Sequence, residues 1–425
     1  MKLRMRYGRE GLEVELPDEN VRHVLRLNRL PKIADPRAVT AEALQRPIGA
    51  PALAEIARGR RDAVIVVSDI TRPVPNRFIL PPILDTLQAA GIAASDTLIL
   101  VATGLHRGNT AAELAEMLGD EVLARGVRVE NHIARDREAH VYLGETDRGI
   151  PAWVDRRYVE ADLKITTALV EPHLMAGYSG GRKAICPGLC AVETVVRWHG
   201  PQMLAPDEAR AGNLIANPVH DQALQIADLA GGADFIVNVT MDEDRDVTGV
   251  FAGDMRAAHE TAIEQTRHQA RVTIPEPVDI VVTSAAGYPL DLTFYQGIKG
   301  MIAAAPIVKP GGTIIIAQEN AEGVGGDEFR DLMLSITSPA DNIAEAMRGE
   351  VASVDQWQLQ EFEKVLRVAE VWNYSDRMPS ELQNKLFVRP LTSVEAGITD
   401  ALRKHGPDAQ IAVIPEGPYV LCEVE

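Results

Sequence analysis

Residues 163–189 read LKITTALVEPHLMAGYSGGRKAICPGL. The apolar run at 163–170 is typical of a buried strand, and six glycines or prolines in the rest of the stretch disfavour regular helix or strand. This loop carries an imidazole (His173), a guanidinium (Arg182) and an amine (Lys183). Such groups on a glycine-rich loop at a strand end indicate a binding or catalytic loop, because glycine lets the backbone approach a ligand closely. The alternative is a basic surface turn, since loops are often charged.

Strands and helices alternate around this stretch. Apolar runs of strand length are followed by segments in which apolar residues recur with helical spacing. Alternation of this kind predicts an α/β fold, with a mostly parallel sheet and helices on both of its faces. The predicted strands are residues 63–67, 97–102, 127–132 and 163–170, and the predicted helices are residues 81–90 (with its prolines in the first turn), 110–125, 191–198 and 255–271.

A second α/β unit begins after the sequence Ile-Pro-Glu-Pro at 274–277. Its predicted elements are strands at 278–284, 312–318 and 385–388 and a helix at 291–304, and a last strand is expected at 409–414. The sequence therefore predicts two α/β domains with mostly parallel sheets and an active site in the interdomain cleft. The expected domains are residues 1–272, joined by the last segment 407–425, and residues 275–406.

Composition excludes some classes of protein. The 425 residues carry a formal net charge of −18, which argues against a nucleic-acid partner because phosphate contacts need a basic face. No apolar stretch reaches the length of a membrane span, and the N-terminus lacks the apolar core of a signal peptide. We therefore expect no membrane partner and a cytoplasmic location. Cys186 and Cys190 are four residues apart, but without a second pair at metal-ligand spacing we interpret them as small buried thiols.

Polar clusters follow three of the predicted strands. They are Ser-Asp-Ile-Thr-Arg-Pro at 68–73, Thr-Gly-Leu-His-Arg at 103–107 and Glu-Pro-His at 171–173. In open α/β sheets, ligands bind outside the carboxyl ends of the strands. One shared pocket is therefore favoured over three separate solvated turns.

Familiar nucleotide-binding fingerprints do not match this chain. Lys183 follows Arg182 where a Walker A lysine follows glycine, and Ala184 stands where Ser or Thr would bind magnesium. No G-x-G-x-x-G sequence opens a first βα unit, which disfavours an ordinary NAD dehydrogenase. The Thr103-Gly104 and Gly180-Gly181 pairs nevertheless precede segments whose backbone N–H groups would suit a phosphate.

The clusters at 68–73 and 103–107, the loop at 171–189 and Tyr-Gln-Gly-Ile-Lys at 295–299 together resemble the nickel-pincer-nucleotide-dependent lactate racemase family. These motifs recur in order across both predicted domains, so the resemblance covers nearly the whole chain. It implies a racemase or epimerase of a 2-hydroxy acid, an isomerase that works by reversible hydride transfer through a 2-keto acid. The cofactor implied is a nickel-pincer nucleotide, which is derived from nicotinic acid mononucleotide.

The resemblance also implies how the cofactor and its nickel are held. Lys183 would carry the nucleotide covalently, and Arg182 beside it favours the nucleophilic free amine. His199 would be a nickel ligand, a role that imidazole suits, although a histidine at a helix end is often only a dipole partner. The remaining predicted cofactor contacts are Thr103, Gly104, Gly180, Gly181 and Arg182. The alternative for Lys183 is a simple ion pair with the phosphate.

His106 and His173 match the acid/base pair of the family. Histidine is the side chain whose ordinary pKa suits proton exchange with a hydroxyl group near neutral pH. Asp69 would orient one imidazole, although an Asp at this place also suits a turn. For each histidine alone, a structural role is the alternative.

The predicted substrate-binding residues are Arg72, Tyr295, Gln296 and Lys299. Arg72 and Lys299 would hold the substrate carboxylate, and Tyr295 and Gln296 share a helix face with Lys299. Trp357 resembles a pocket residue only loosely, and core packing is the alternative. The predicted partners are a small-molecule 2-hydroxy acid and cofactor-synthesising enzymes, and the chain is a monomer or a homodimer. The alternative functions are a hydro-lyase or dehydrogenase with an exchangeable nucleotide and a non-catalytic carboxylate-binding protein.

Overall fold

The computed structural model describes residues 1–349 and 353–425. Its strands are β1 (Lys2–Met5), β2 (Leu12–Glu15), β3 (Val21–Val24), β4 (Ala63–Ser68), β5 (Thr97–Ala102), β6 (Arg128–Asn131), β7 (His140–Glu145), β8 (Pro151–Asp155), β9 (Leu163–Leu169), β10 (Pro172–His173), β11 (Gly177–Tyr178), β12 (Phe235–Met241), β13 (Val247–Gly253), β14 (Arg271–Ile274), β15 (Val278–Ser284), β16 (Val308–Ala317), β17 (Ala369–Tyr374), β18 (Arg389–Leu391), β19 (Ile411–Ile414) and β20 (Leu421–Val424). Its α-helices are α1 (Pro36–Gln45), α2 (Leu53–Ala57), α3 (Asn76–Ala89), α4 (Ala111–Leu118), α5 (Asp120–Leu123), α6 (Arg156–Glu160), α7 (Val192–Trp198), α8 (Pro201–Leu204), α9 (Pro218–Leu229), α10 (Ala257–Ala270), α11 (Phe294–Ala304), α12 (Asp327–Ser335), α13 (Pro339–Arg348), α14 (Gln356–Val368), α15 (Ser380–Asn384) and α16 (Val394–His405).

Two six-stranded sheets organise the chain. The first has the order β13-β12-β9-β4-β5-β6 and is parallel except for the β12–β13 pair. The second has the order β18-β17-β16-β15-β19-β3 and is parallel throughout. The predicted fold class, two α/β domains with mostly parallel sheets, is confirmed.

The central strands of the first sheet are buried on both faces. In β4, Val64 and Val66 pack into one apolar core, and Ile65 and Val67 pack into another on the opposite face. Successive side chains of a strand point to opposite faces, so an unbroken apolar run fits a sheet covered by helices on both sides. This arrangement leaves the strand ends as the places where polar side chains meet solvent and ligands.

The chain termini correct one prediction about domain membership. We predicted that the last segment, 407–425, joins the first domain, but β19 lies in the second sheet between β15 and β3. All four residues of β19 are buried, and a strand buried in this way needs a neighbour on each side. The N-terminal strands β1 and β2 also pack against the second sheet, since Leu3, Met5 and Val14 share an apolar core with it. The boundary at 272–275 itself stays a prediction.

Several element ends differ from the predicted ones. α3 begins at Asn76, so Pro81 and Pro82 lie inside the helix instead of in its first turn. The buried residues around them hold the helix together despite the hydrogen bonds that proline cannot donate. The helix predicted at 110–125 is broken at Gly119, which has a φ of +81°. The strand predicted at 385–388 lies slightly later, as β18.

Two features place the site between the sheets. The strands β9, β4 and β5 are neighbours, so the three polar clusters that follow them meet at one edge of the first sheet. Helix α11 of the second domain faces this edge, because Gln296 from α11 reaches His106 in the loop after β5. In the described part of the chain, no helix has the length and apolar character needed to cross a membrane.

Candidate active site

A cavity of about 160 Å³ lies at the carboxyl ends of β4, β5 and β9. Side chains from both domains line it. Of the residues predicted from the sequence, the following line the cavity: Asp69, Arg72, Thr103, Gly104, His106, His173, Gly180, Lys183, His199, Tyr295, Gln296 and Lys299. The two that do not line it are Gly181 and Arg182. Residues scattered from position 69 to position 299 are thus brought around one space.

His106 is held between two partners from different domains. A carboxylate only accepts hydrogen bonds, so the Nδ1–H of His106 donates to Asp69 Oδ2, at 2.6 Å. On the other side of the ring, the Gln296 amide Nε2 lies 3.4 Å from His106 Nε2 and donates to it. The ring hydrogen is therefore on Nδ1, and Nε2 presents a lone pair to the cavity. His106 is arranged as a base.

Asp69 is buried but ionised. Burial by itself raises the pKa of this carboxyl, but His106, Thr71 and Arg72 together bring the pKa below its usual value. The Thr71 hydroxyl donates to Asp69 Oδ1 at 2.6 Å, which leaves Oδ2 for the imidazole. The carboxylate therefore fixes the ring and stabilises a proton on it.

His173 has the opposite arrangement. The backbone N–H of Ala176 donates to His173 Nδ1 at 3.2 Å, so the hydrogen of the neutral ring is on Nε2. That Nε2 lies 3.1 Å from Lys183 Nζ. An N–H at this distance needs a lone pair, so Lys183 is a neutral amine in this arrangement. His173 thus presents a hydrogen where His106 presents a lone pair.

The electrostatic surroundings agree with these protonation states. Burial first, and then Arg182 and Arg72, hold the pKa of Lys183 well below its usual value. Burial first, and then Lys183, Lys299 and Arg72, hold the pKa of His173 well below its usual value. A buried amine without its proton is a nucleophile, which is what covalent attachment of a ligand at Lys183 requires.

Arg182 stabilises the loop and does not face the cavity. Its guanidinium is 1% exposed and donates to the carbonyls of Ala176, at 2.7 Å, and Tyr178, at 2.9 Å. These carbonyls lie in and beside the short antiparallel pair of β10 and β11 that carries His173. The predicted direct cofactor contact is therefore not seen, and Arg182 acts through the loop and through its charge on Lys183.

The glycines at 104 and 180–181 serve mainly to let neighbouring segments pack closely. The Gly104 N–H donates to the Gly188 carbonyl at 3.0 Å, and the Thr103 hydroxyl donates to the His132 carbonyl at 2.9 Å. Gly181 has a φ of +51°, and a Cβ there would lie 2.4 Å from the His259 ring. The Gly104 N–H is thus bonded within the protein, whereas Thr103, Gly104 and Gly180 line the cavity, and the phosphate site predicted in the segments after the two pairs stays a prediction.

The carboxylate-binding pair predicted from the sequence faces the cavity from both domains. Arg72 Nε donates to Glu171 at 2.9 Å and its Nη1 donates to the Thr71 carbonyl at 3.2 Å, and the residue lines the cavity. Burial first, and then Arg72, lower the pKa of Lys299 to about 7. In the described part of the chain, Lys299 has no hydrogen-bond partner. An anion between these two side chains would relieve their repulsion.

His199 and Trp357 form a second wall. The His199 ring is stacked on the Trp357 ring, with centroids 4.5 Å apart. Burial first, and then Lys183, keep the pKa of His199 well below its usual value, so the ring is neutral. Its Nδ1 is buried and has no hydrogen-bond partner among the described residues. Trp357, which we placed only loosely from the sequence, lines the cavity, and its Nε1 donates to the Tyr295 hydroxyl at 2.9 Å.

One ionisable residue of the cavity was missed. Asp355 lines it beside Tyr295, and burial raises the pKa of Asp355 to about 6. It lies just before α14 with a φ of +64°, a conformation that Asp tolerates better than most residues. No sequence motif marks this position. A carboxylate two residues before a tryptophan is an ordinary helix start, so the signal was too weak to single out.

The residues present fit a nucleotide-bound metal better than a metal alone. Among residues 1–349 and 353–425, no group of three or more His, Cys, Asp or Glu side chains is arranged to hold a metal ion. His199 supplies one neutral imidazole, so a nickel ion there needs donor atoms that come with the cofactor. Lys183 supplies a buried nucleophilic amine in the same cavity. The described donor set therefore suits a tethered, metal-carrying nucleotide.

Comparisons with known proteins cover nearly the whole chain. A family model described as the lactate racemase N-terminal domain matches residues 7–212, and one described as the lactate racemase C-terminal domain matches residues 272–422. A lactate racemase from Thermoanaerobacterium thermosaccharolyticum is 34% identical over 98% of this chain and 97% of its own. A lactate racemase from Lactiplantibacillus plantarum is 34% identical over 90% of each chain.

Solved structures give the same picture. The structure of the lactate racemase apoprotein from T. thermosaccharolyticum matches with a TM-score of 0.91 and 33% identity, covering 99% of this chain and all of that one. A Thermotoga maritima protein, 18% identical, matches with a TM-score of 0.72 over 92% of this chain and 99% of its own, which supports the fold alone.

Proposed function

The chain belongs to the lactate racemase family, and on that premise we propose that it interconverts the enantiomers of a 2-hydroxy acid by hydride transfer through a planar 2-keto acid. The chain is thus an isomerase. The observation that carries the proposal is the pair of imidazoles, His106 and His173, which border one cavity with opposite ring nitrogens protonated.

The substrate carboxylate would lie between Arg72 and Lys299, which come from the two domains. Closing the cleft on the substrate would bring these cations to the same anion, which offsets their mutual repulsion. With the carboxylate held there, the hydroxyl group on C2 would lie between the imidazoles. Water leaves such a closed cavity, and each charge interaction becomes stronger.

His106 and His173 would exchange the hydroxyl proton. His106 Nε2 accepts the proton from one enantiomer, and Asp69 stabilises the resulting imidazolium. Rotation of the Gln296 amide would then bring its Oε1, which has no partner among the described residues, to accept from the protonated ring. The same nitrogen returns the proton in the reverse reaction. His173 would serve the other enantiomer once its ring hydrogen moves from Nε2 to Nδ1, which frees the Nε2 lone pair to accept that hydroxyl proton.

The proposed cofactor is the nickel-pincer nucleotide, attached to Lys183 and with its nickel bound by His199. When bound, it supplies the acceptor that takes the C2 hydrogen as a hydride and gives it back. Lys183 would hold this group against the Trp357 wall, and attachment would leave no basic amine beside His173. We also propose a cytoplasmic location, with cofactor-synthesising enzymes as partners.

The proposal is tested by incubating cofactor-loaded protein with an enantiopure 2-hydroxy acid and measuring the opposite enantiomer by chiral chromatography. Intact-mass measurement should show an adduct of nucleotide size with nickel, and the adduct should be absent from Lys183→Ala and present in His106→Ala. A bare chain that binds a nucleotide reversibly would favour a hydro-lyase or dehydrogenase. An adduct without any interconversion would favour a non-catalytic carboxylate-binding protein.

A further inference from the structure

Two more cavities adjoin the central one, and each shares a different set of lining residues with it. One, of about 480 Å³, shares Arg72, His173, Leu174 and Lys299 with it and is called here the His173 chamber. The other, of about 260 Å³, is called the His106 chamber, and it shares these residues with the central cavity: Asp69, Leu105, His106, Tyr295, Gln296 and Asp355. Each catalytic imidazole therefore lies between the central cavity and one chamber, and neither imidazole borders both chambers.

The His173 chamber suits an apolar group. Its wall is formed mainly by apolar side chains, among them Leu174, Ile302, Ala303, Val365, Val368 and Leu421. Its remaining cations are already bound, since Lys364 donates to Glu361 and the Leu204 carbonyl, and Arg210 donates to the Asp207 carbonyl. A second carboxylate would meet the like charges of acidic side chains in this wall, namely Glu171, Asp207, Glu361 and Glu423, and burying a charge without a partner is unfavourable.

The His106 chamber is smaller and mixed in character. Ile70, Leu105, Pro289 and Leu292 form its apolar part, and Arg107 and Glu322 lie on its polar side. These two charges are near each other, at 3.5 Å. The whole chamber, at about 260 Å³, has room for a branched or aromatic side chain beside these apolar residues, so both chambers accept the same kind of group.

The stereochemistry of racemisation requires a separate place for the side chain of each enantiomer. C2 of a 2-hydroxy acid carries a hydrogen, a carboxylate, a hydroxyl and a side chain. If the hydrogen leaves and returns on one side while the carboxylate stays on Arg72 and Lys299, the hydroxyl and the side chain of one enantiomer exchange places in the other. A hydroxyl beside His106 puts the side chain beside His173, and the reverse holds for the other enantiomer.

We propose that the two chambers are the side-chain pockets of the two enantiomers, and that the preferred substrate is a 2-hydroxy acid with an apolar side chain larger than methyl. This inference rests on the proposed racemase function. A methyl group needs neither chamber, because it fits beside an imidazole within the central cavity. A larger apolar side chain would fill one chamber in each enantiomer and exclude water from it.

The first test compares substrates on the cofactor-loaded wild-type protein. We expect kcat/KM to be at least about tenfold higher for 3-phenyllactate or 2-hydroxy-4-methylpentanoate than for lactate, and lower for malate than for lactate. Racemisation in which lactate or malate is the best of these four substrates would overturn the inference and leave the proposed function intact. No interconversion of any of the four would instead contradict the proposed function, and the inference with it.

The second test fills one chamber at a time. Ala303→Phe projects into the His173 chamber, and Leu292→Trp projects into the His106 chamber. The two enantiomers have equal free energies, so kcat/KM must fall equally in both directions, and only KM distinguishes the chambers. We expect Ala303→Phe to raise the KM of one enantiomer of 3-phenyllactate at least tenfold and Leu292→Trp to raise the KM of the other. The KM values for lactate should change less than threefold.

A binding measurement gives the same comparison without turnover. Trp357 lies in the cavity, so its fluorescence should report binding of each 3-phenyllactate enantiomer to the cofactor-free protein. Each variant should weaken binding of one enantiomer only, and a different one in each case. Val368→Phe is a second variant for the His173 chamber if Ala303→Phe folds poorly, and Ala112→Phe on the exposed face of α4 is the matched control. The inference would be overturned if both chamber variants weakened binding of the same enantiomer, or if neither variant weakened binding of either enantiomer.

Discussion

The loops after β5 and β9 each present a histidine to the cavity, but in opposite surroundings. The side chain of His106 is 38% exposed and lies 2.6 Å from the Asp69 carboxylate. His173 is 9% exposed, and burial first, and then the basic groups Lys183, Lys299 and Arg72, lower its pKa. One imidazole therefore lies beside an anion, whereas the other lies among basic groups that oppose a proton on it.

This difference shows how two histidines in one site adopt different tautomers. Backbone and carboxylate partners at Nδ1 set which ring nitrogen carries the hydrogen, and the nitrogen that faces the cavity follows from that choice. A racemase of this kind needs each imidazole to take up the hydroxyl proton of one enantiomer and to return it. Before any substrate is bound, the loops set two different tautomers, with a lone pair at His106 Nε2 and a hydrogen at His173 Nε2.

The largest expected effect is the loss of either imidazole. His106→Ala and His173→Ala should each lower the rate of racemisation at least about 10³-fold, and equally in both directions, because each enantiomer needs one of the rings. The rate is measured by chiral chromatography on cofactor-loaded protein, and His268→Ala, on the exposed face of α10, is the control. A variant that keeps a tenth of the wild-type rate would show that its imidazole is not an acid/base group.

A smaller effect is expected when the partner of His106 is changed. Asp69→Asn keeps a side chain of similar shape but removes the charge that stabilises the imidazolium. We expect kcat to fall about 10- to 100-fold with KM within threefold of wild type. Asp85→Asn, at an exposed carboxylate on α3, should change neither constant. A rise in KM without a fall in kcat would mean that Asp69 only shapes the pocket.

The cations around His173 should make substrate binding depend on pH. The pKa of Lys299 is lowered to about 7, so its ammonium is present below that pH and is lost above it. KM for a 2-hydroxy acid should therefore be flat below about pH 7 and rise by up to tenfold per pH unit above it. In Lys299→Arg the charge persists, and KM should stay flat. A wild-type KM that is constant from pH 6 to 9 would contradict this role.

The smallest effect concerns the contact between Lys183 and His173. Lys183→Met removes an amine whose protonated form opposes a proton on His173, so the pKa of His173 should rise, although burial keeps it below its usual value. Nitrogen NMR of the imidazoles in the cofactor-free protein measures this shift, and His106 in the same spectra is the internal comparison. If the His173 pKa is the same in Lys183→Met as in the wild-type protein, the two groups are not electrostatically linked.

Much of the fold was predictable from local sequence, and most of the predicted site residues line one cavity, although their roles stay predictions. The family resemblance and the α/β fold are confirmed, because apolar runs and glycine-rich strand ends carry those signals. The membership of β19 was wrong, since a buried strand does not reveal which sheet it joins. Arg182 was placed in the cavity because it adjoins Lys183, but adjacent residues point in different directions. Asp355 was missed because its proximity to the site depends on the packing of α14 against α11.

The most direct test of the account follows a deuterium label. One enantiomer of a 2-hydroxy acid, deuterated at C2, is incubated with cofactor-loaded protein in ordinary water, and the opposite enantiomer is analysed by mass spectrometry. The account predicts that the product keeps its deuterium, because the hydrogen leaves and returns as a hydride while the imidazoles handle only the hydroxyl proton. A product with hydrogen from water at C2 would contradict it.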